Sequence, residues 1–135
     1  MLVTTRLYPN VSETLSRLDC KRIGLVTSKE SDFARELLEH FGLMPYFDCI
    51  IGGDTLPERK PDPKPVLEAM RRLGIPSERA VMVGDSENDV IAGKAAGTLT
   101  CAVTYGFRTR EQLLVTAPDV IIDGFEQLEQ YFGGS

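Results

Sequence analysis

Short apolar runs alternate with longer amphipathic stretches along this chain. Ile23–Val26, Phe47–Ile51, Ala80–Val83 and Thr100–Val103 each predict a strand, because brief apolar runs bounded by turn residues suit strands buried on both faces. Between them the spacing becomes helical. Val11–Leu18 predicts a helix, and Ser31–Phe41 a second, with Phe33, Leu37, Leu38 and Phe41 on its apolar stripe and Gly42 placed to close it. A third helix begins after Pro63 and Pro65 and stops at Gly74, and a fourth covers Asn88–Ala96 and ends at Gly97. Val120–Ile122 predicts a short edge strand. Phe125–Phe132 predicts a last helix, with Phe125, Leu128, Tyr131 and Phe132 toward the core. Strands and helices taking turns imply right-handed crossovers. The expected fold is therefore α/β: a Rossmann-like, mostly parallel sheet with helices on both faces.

Composition narrows the class without naming a chemistry. The 135 residues suit a single domain, 1–135, with one core. A net charge of −5 argues against a nucleic-acid partner, which needs a clustered basic surface. It does not exclude an anionic ligand, since a lysine, helix N-termini and a metal reverse the sign inside one cleft. Cys20, Cys49 and Cys101 are odd in number and lack paired zinc spacing, which fits reduced thiols of a cytoplasmic protein. No signal-peptide pattern opens the chain and no apolar run is long enough for a bilayer, so no membrane association is expected.

The candidate chemistry sits where apolar runs give way to loops. Ile23–Val26 leads into Thr27-Ser28, Lys60 opens Lys60-Pro61-Asp62-Pro63, and Ala80–Val83 leads into Gly84-Asp85-Ser86-Glu87-Asn88-Asp89. In an open parallel sheet, ligands bind beyond the carboxyl ends of the strands. Thr27 and Ser28 can donate to phosphate oxygens at a helix start, and Lys60 can neutralise phosphate charge. Asp85 and Asp89, four apart, share a helix face and suit magnesium, which takes one or two carboxylates and keeps several waters. Each residue also has a plainer reading. Thr27 or Ser28 would cap a helix, Lys60 would be a solvated loop lysine, and Asp89 would complement a helix dipole. The order of the whole set favours the phosphate site. His40, near a helix end, reads as a dipole partner or surface residue rather than a base. Phe107, Arg108 and Arg110 read as a solvated loop on the crevice side.

These residues resemble a known family. Arg6-Leu7-Tyr8-Pro9, Val26-Thr27-Ser28-Lys29, Ile51-Gly52-Gly53-Asp54, Lys60-Pro61-Asp62-Pro63, Val83-Gly84-Asp85-Ser86 with Asn88-Asp89, Ala95-Ala96-Gly97, Thr104-Tyr105-Gly106 and Pro118-Asp119 together look like the core of haloacid dehalogenase-type phosphatases. The resemblance is greatest to the phosphoglycolate phosphatases. It implies that Thr27 and Ser28 bind phosphate, that Lys60 stabilises the phosphoryl group, and that Asp85 is a direct Mg2+ ligand. It also implies that Asp89 orients a metal-bound water, and that the substrate is a small phosphorylated metabolite. Ser28 stands where asparagine is common in such proteins, and Asp62 where histidine is common.

The departures lie at the front. The family's first motif is a strand ending in two aspartates one residue apart, the nucleophile and its acid/base partner. Neither precedes Thr27 here, and the helical cap that selects substrate is also missing. Aspartate nucleophilic catalysis cannot be replaced by binding groups, so the chain alone is expected to be inactive. The missing strand belongs at the centre of the sheet, and its loss would leave neighbours roughly 10 Å apart, twice the strand spacing of about 4.8 Å. Residues 1–9 are expected to be a frayed remnant of the cap connection, with 10–135 as the core. Alternatively Leu2–Leu7, rich in β-branched residues, acts as a donated strand and makes a homodimer by strand exchange. Two other functional classes share part of this pattern. A response-regulator receiver domain places its acids before the Thr and its Lys last, unlike the order Thr27, Lys60, Asp85. A non-catalytic binding or regulatory module that has lost phosphatase chemistry fits the missing nucleophile.

Overall fold

Residues 2–4, 22–104, 109–123 and 127 are described by a computed structural model of the chain. Among these residues six strands form one parallel sheet: β1 (Leu2–Thr4), β2 (Ile23–Val26), β3 (Cys49–Ile51), β4 (Val81–Gly84), β5 (Leu99–Val103) and β6 (Val120–Ile122). Their spatial order is β3-β2-β1-β4-β5-β6, and every pairing is parallel. Helices α1 (Ser31–His40), α2 (Lys64–Leu73), α3 (Glu87–Ala95) and α4 (Arg110–Val115) connect them. This is the doubly wound arrangement, whose strand order reverses between β1 and β4 and opens a crevice there.

The centre of the sheet is not vacant. Leu2–Thr4 lies between β2 and β4, with Val3 in register with Gly24 on one side and Met82 on the other. Neither a gap of two strand spacings nor a fray at residues 2–4 is found, because these residues hydrogen-bond both flanking strands. Closing the sheet therefore requires no strand from a second chain.

Alternation within the strands explains why they read as unbroken apolar runs. Leu25, Ile50, Val81, Val83, Cys101 and Val103 pack on one face with Ala34 and Leu38 of α1. Val26, Ile51 and Met82 pack on the other with Val66, Ala69, Met70 and Leu73 of α2 and Ala92 of α3. Successive strand residues point to opposite faces, and both faces are covered. Val90, Ala102 and Leu113 form a smaller cluster that seats α4. Cys49 and Cys101 are free thiols, and burial pushes them up to about 11 and about 12 respectively.

Several helix ends match their sequence signals. Gly74 is left-handed (φ 68°) and closes α2, a position glycine takes without a Cβ penalty. The stripe on α1 differs from expectation. Ala34 and Leu38 are the buried positions, whereas Phe33 and Phe41 are about half exposed. Arg110, expected in a solvated loop, opens α4. Thr109 Oγ1 accepts from Gln112 N while Gln112 Oε1 accepts from Thr109 N, a reciprocal capping box. The helices expected at Val11–Leu18 and Phe125–Phe132 lie outside the described residues, apart from Gln127, as do Cys20, Phe107 and Arg108. Among the described residues no helix is long and apolar enough to cross a membrane.

Candidate active-site cleft

Three loops at the carboxyl ends of the strands make the site. The first follows β2. Thr27 N donates to Ile51 O at 2.9 Å, extending the β2–β3 ladder by one residue and fixing Thr27 at the sheet's edge. Thr27 is nearly buried, and its Oγ1 accepts from Lys29 N at 3.2 Å, which turns the chain toward α1. Neither Thr27 nor Ser28 caps α1. The N-cap position is Glu30, which makes no side-chain cap, and the capping comes from another loop altogether.

That second loop follows β3. Asp54 Oδ1 accepts from Ser31 N at 2.8 Å and its Oδ2 accepts from Ser31 Oγ at 3.2 Å, so one carboxylate closes the first turn of a helix 23 residues earlier. The Ser31 N–H in particular holds the Asp54 carboxyl below its ordinary range. Gly53 N donates to Lys29 O at 2.7 Å, and a Cβ on Gly53 would stand 2.2 Å from Ser28 O. Only glycine lets the two loops approach this closely. The Thr27–Ser28 turn is thus held by its neighbour as well as by its own strand.

The third loop follows β4 and meets Lys60. Asp89 is buried, and both of its oxygens accept from protein donors. Oδ1 receives Lys60 Nζ at 2.8 Å. Oδ2 receives Asp85 N at 3.1 Å, Ser86 N at 3.2 Å and Ser86 Oγ at 3.0 Å. Ser86 and Asp89 form a capping box on α3. A Cβ on Gly84 would lie 2.3 Å from Asp89 Oδ2, so glycine makes room for the acid. Lys60 Nζ also donates to Val26 O at 3.2 Å, which draws the ammonium to the end of β2. Its loop is a turn in which Asp62 N donates to Arg59 O and Lys64 N donates to Asp62 Oδ1, both at 2.9 Å.

The result is one cleft of about 220 Å³ lined by Thr27, Ser28, Lys60 and Asp89 together with Gly53, Arg59, Ser86 and Asn88. Residues separated by more than sixty positions in sequence thus converge as the chemistry requires. Asp85 stands at the end of β4 and gives its N–H to Asp89, but is not part of the lining. Arg59 and Asn88 were not singled out from sequence. The available signal was position: Arg59 shares the turn of Lys60, and Asn88 lies in the first turn of α3.

The fit of these residues to magnesium is incomplete. Both Asp89 oxygens are committed to Lys60 and the first turn of α3, and among the described residues no group of three or more His, Cys, Asp or Glu side chains is placed to hold a metal ion. What the cleft does offer is hydroxyls, an ammonium and a guanidinium, a donor set for oxyanions.

Residues 3–103 match the model of the haloacid dehalogenase-like hydrolase family, and the chain belongs to that family. It is 42% identical over 126 residues to a phosphoglycolate phosphatase from Salmonella choleraesuis (strain SC-B67), a match covering 92% of this chain and 50% of the relative. It is 45% identical over 128 residues to phosphoglycolate phosphatase 1 of Pseudomonas aeruginosa, covering 92% and 46%. The crystal structure described as a predicted phosphoglycolate phosphatase from Haemophilus somnus 129PT superimposes with a TM-score of 0.85 at 34% identity, covering 93% of this chain and 57% of that one. The chain spans about half the length of the curated relatives it matches.

Proposed function

We propose that this chain carries the phosphate-binding part of a magnesium-dependent phosphomonoesterase of the phosphoglycolate phosphatase type, and that by itself it binds its ligand without hydrolysing it. The observation that carries the reading is the convergence of Thr27, Ser28 and Lys60 on one cleft at the point where strand order reverses. Thr27 and Ser28 would donate to phosphate oxygens. Lys60, steered by Asp89 and Val26 O, would place its charge against the phosphoryl group. In the longer protein magnesium would supply charge neutralisation. Asp85 is the ligand this chain would contribute, and Asp89 would act by holding Lys60 and the Asp85 backbone.

The proposed inactivity rests on the sequence. In the sequence, Leu2–Thr4 is followed by Thr5-Arg6 rather than by a pair of aspartates, so no carboxylate nucleophile follows the central strand. The same feature supports a second reading, a binding or regulatory module that keeps the cleft without the chemistry. Calorimetric titration with inorganic phosphate tests both. The folded chain should bind phosphate, and Thr27→Val should weaken that binding by about tenfold or more, the worth of one charge-assisted hydrogen bond. A folded chain with no phosphate affinity would refute both readings.

A further inference from the structure

The acids around the cleft are already satisfied inside the protein. Asp89 is held by Lys60 and by the first turn of α3. Glu58, on the same lining, pairs with Lys64 Nζ at 2.9 Å, and Lys64 lowers its carboxyl below the ordinary range. Asp62 accepts from Lys64 N, and Asp54 is bound to Ser31. Arg59 differs from all of these. It lines the cleft, it is exposed, and among the described residues its guanidinium pairs with no carboxylate. In a chain of net charge −5, a cleft cation with no carboxylate partner among the described residues stands out. Next to Lys60 in one turn, it gives the cleft two cations for a ligand, only one of which is already balanced.

We propose that Arg59 is a specificity-determining residue that receives the second anionic group of a small phosphorylated carboxylic acid, while Thr27, Ser28 and Lys60 receive its phosphate. This rests on the phosphate reading of the cleft and goes beyond it by assigning the other end of the ligand. The chemistry suits the residue: a planar guanidinium offers paired donors that match a carboxylate, which an ammonium cannot do. The size suits it too. A cleft of about 220 Å³ has room for a small acid of this kind.

Calorimetric titration of the 135-residue chain with phosphoglycolate and with ethyl phosphate, which is similar in size but lacks the carboxylate, tests this directly. The wild type should prefer phosphoglycolate. Arg59→Gln should weaken phosphoglycolate by about tenfold and leave ethyl phosphate within about twofold, since it removes one charge-assisted contact at one end of the ligand. Equal losses for both ligands would show a general field effect and overturn the assignment, as would no loss for phosphoglycolate. If the wild type binds phosphoglycolate and ethyl phosphate equally, the Arg59 assignment fails while the phosphate reading survives. If it binds neither these nor inorganic phosphate, the phosphate reading itself fails and the assignment with it.

Discussion

Two loops of this molecule solve the same local problem with the same residue types, at very different depth. After β3, Gly53 and Asp54 seat the first turn of α1; after β4, Gly84 and Asp89 seat the first turn of α3. In both, a glycine allows close approach and a carboxylate takes the helix's unpaired N–H groups. Asp54 is exposed and, among the described residues, its carboxylate closes the turn through Ser31, so water can replace much of what it does. Asp89 is buried and shares its second oxygen with Lys60. The difference teaches that capping alone makes a helix start, whereas capping combined with a buried lysine makes a site whose parts cannot be removed singly.

The largest effect should come from breaking the buried loop. Asp89→Ala leaves Lys60, only 12% exposed at its side chain, without its carboxylate partner. Loss of one member of a buried pair costs about 3–5 kcal/mol, which urea denaturation would read as a lowered midpoint. Asp89→Asn keeps an acceptor and should recover part of the loss.

Substituting the glycines comes next. Gly84→Ala and Gly53→Ala each force a Cβ to within 2.3 Å and 2.2 Å of an oxygen, and overpacking of this kind costs about 1–3 kcal/mol. Gly53 meets backbone, which yields less readily than a side chain, so Gly53→Ala should be the worse of the two for phosphate affinity.

The smallest effect should come from the exposed acid, and it should depend on pH. Because the folded Asp54 carboxyl is held below its ordinary 3.8, its contribution is present above that value and is lost as pH falls through the lowered one. Thermal melts of wild type and Asp54→Asn should differ by a constant amount near neutrality and converge below pH 4 or so. A difference that grows on acidification would contradict the capping role.

Much of the fold was legible because strand burial and helix punctuation act locally. Ile23–Val26 and Val120–Ile122 have the bounds their apolar runs indicate, and Gly74 and Gly97 both take positive φ just past their helices. Other features depend on partners that periodicity cannot see. Leu2–Thr4 became the central strand because β2 and β4 both lacked a neighbour there, a tertiary demand stronger than the weak local signal of three residues. Phe33 and Phe41 share the helical spacing of the stripe yet face outward, since Ala34 and Leu38 meet the sheet. The candidate site was legible as a set of residue types at strand ends. Its wiring was not: sequence shows that Asp89 stands in a helix start, but not that Lys60, 29 residues earlier, shares its carboxylate.

Hydrolysis of phosphoglycolate and p-nitrophenyl phosphate by the folded 135-residue chain with magnesium, beside an Asp85→Asn control, tests the central claim that the cleft binds phosphate without supplying the nucleophile. The account predicts no turnover above background from either protein in samples that bind inorganic phosphate. Turnover by the wild type that disappears in Asp85→Asn would contradict it, and would mean that a carboxylate elsewhere in this chain attacks phosphorus.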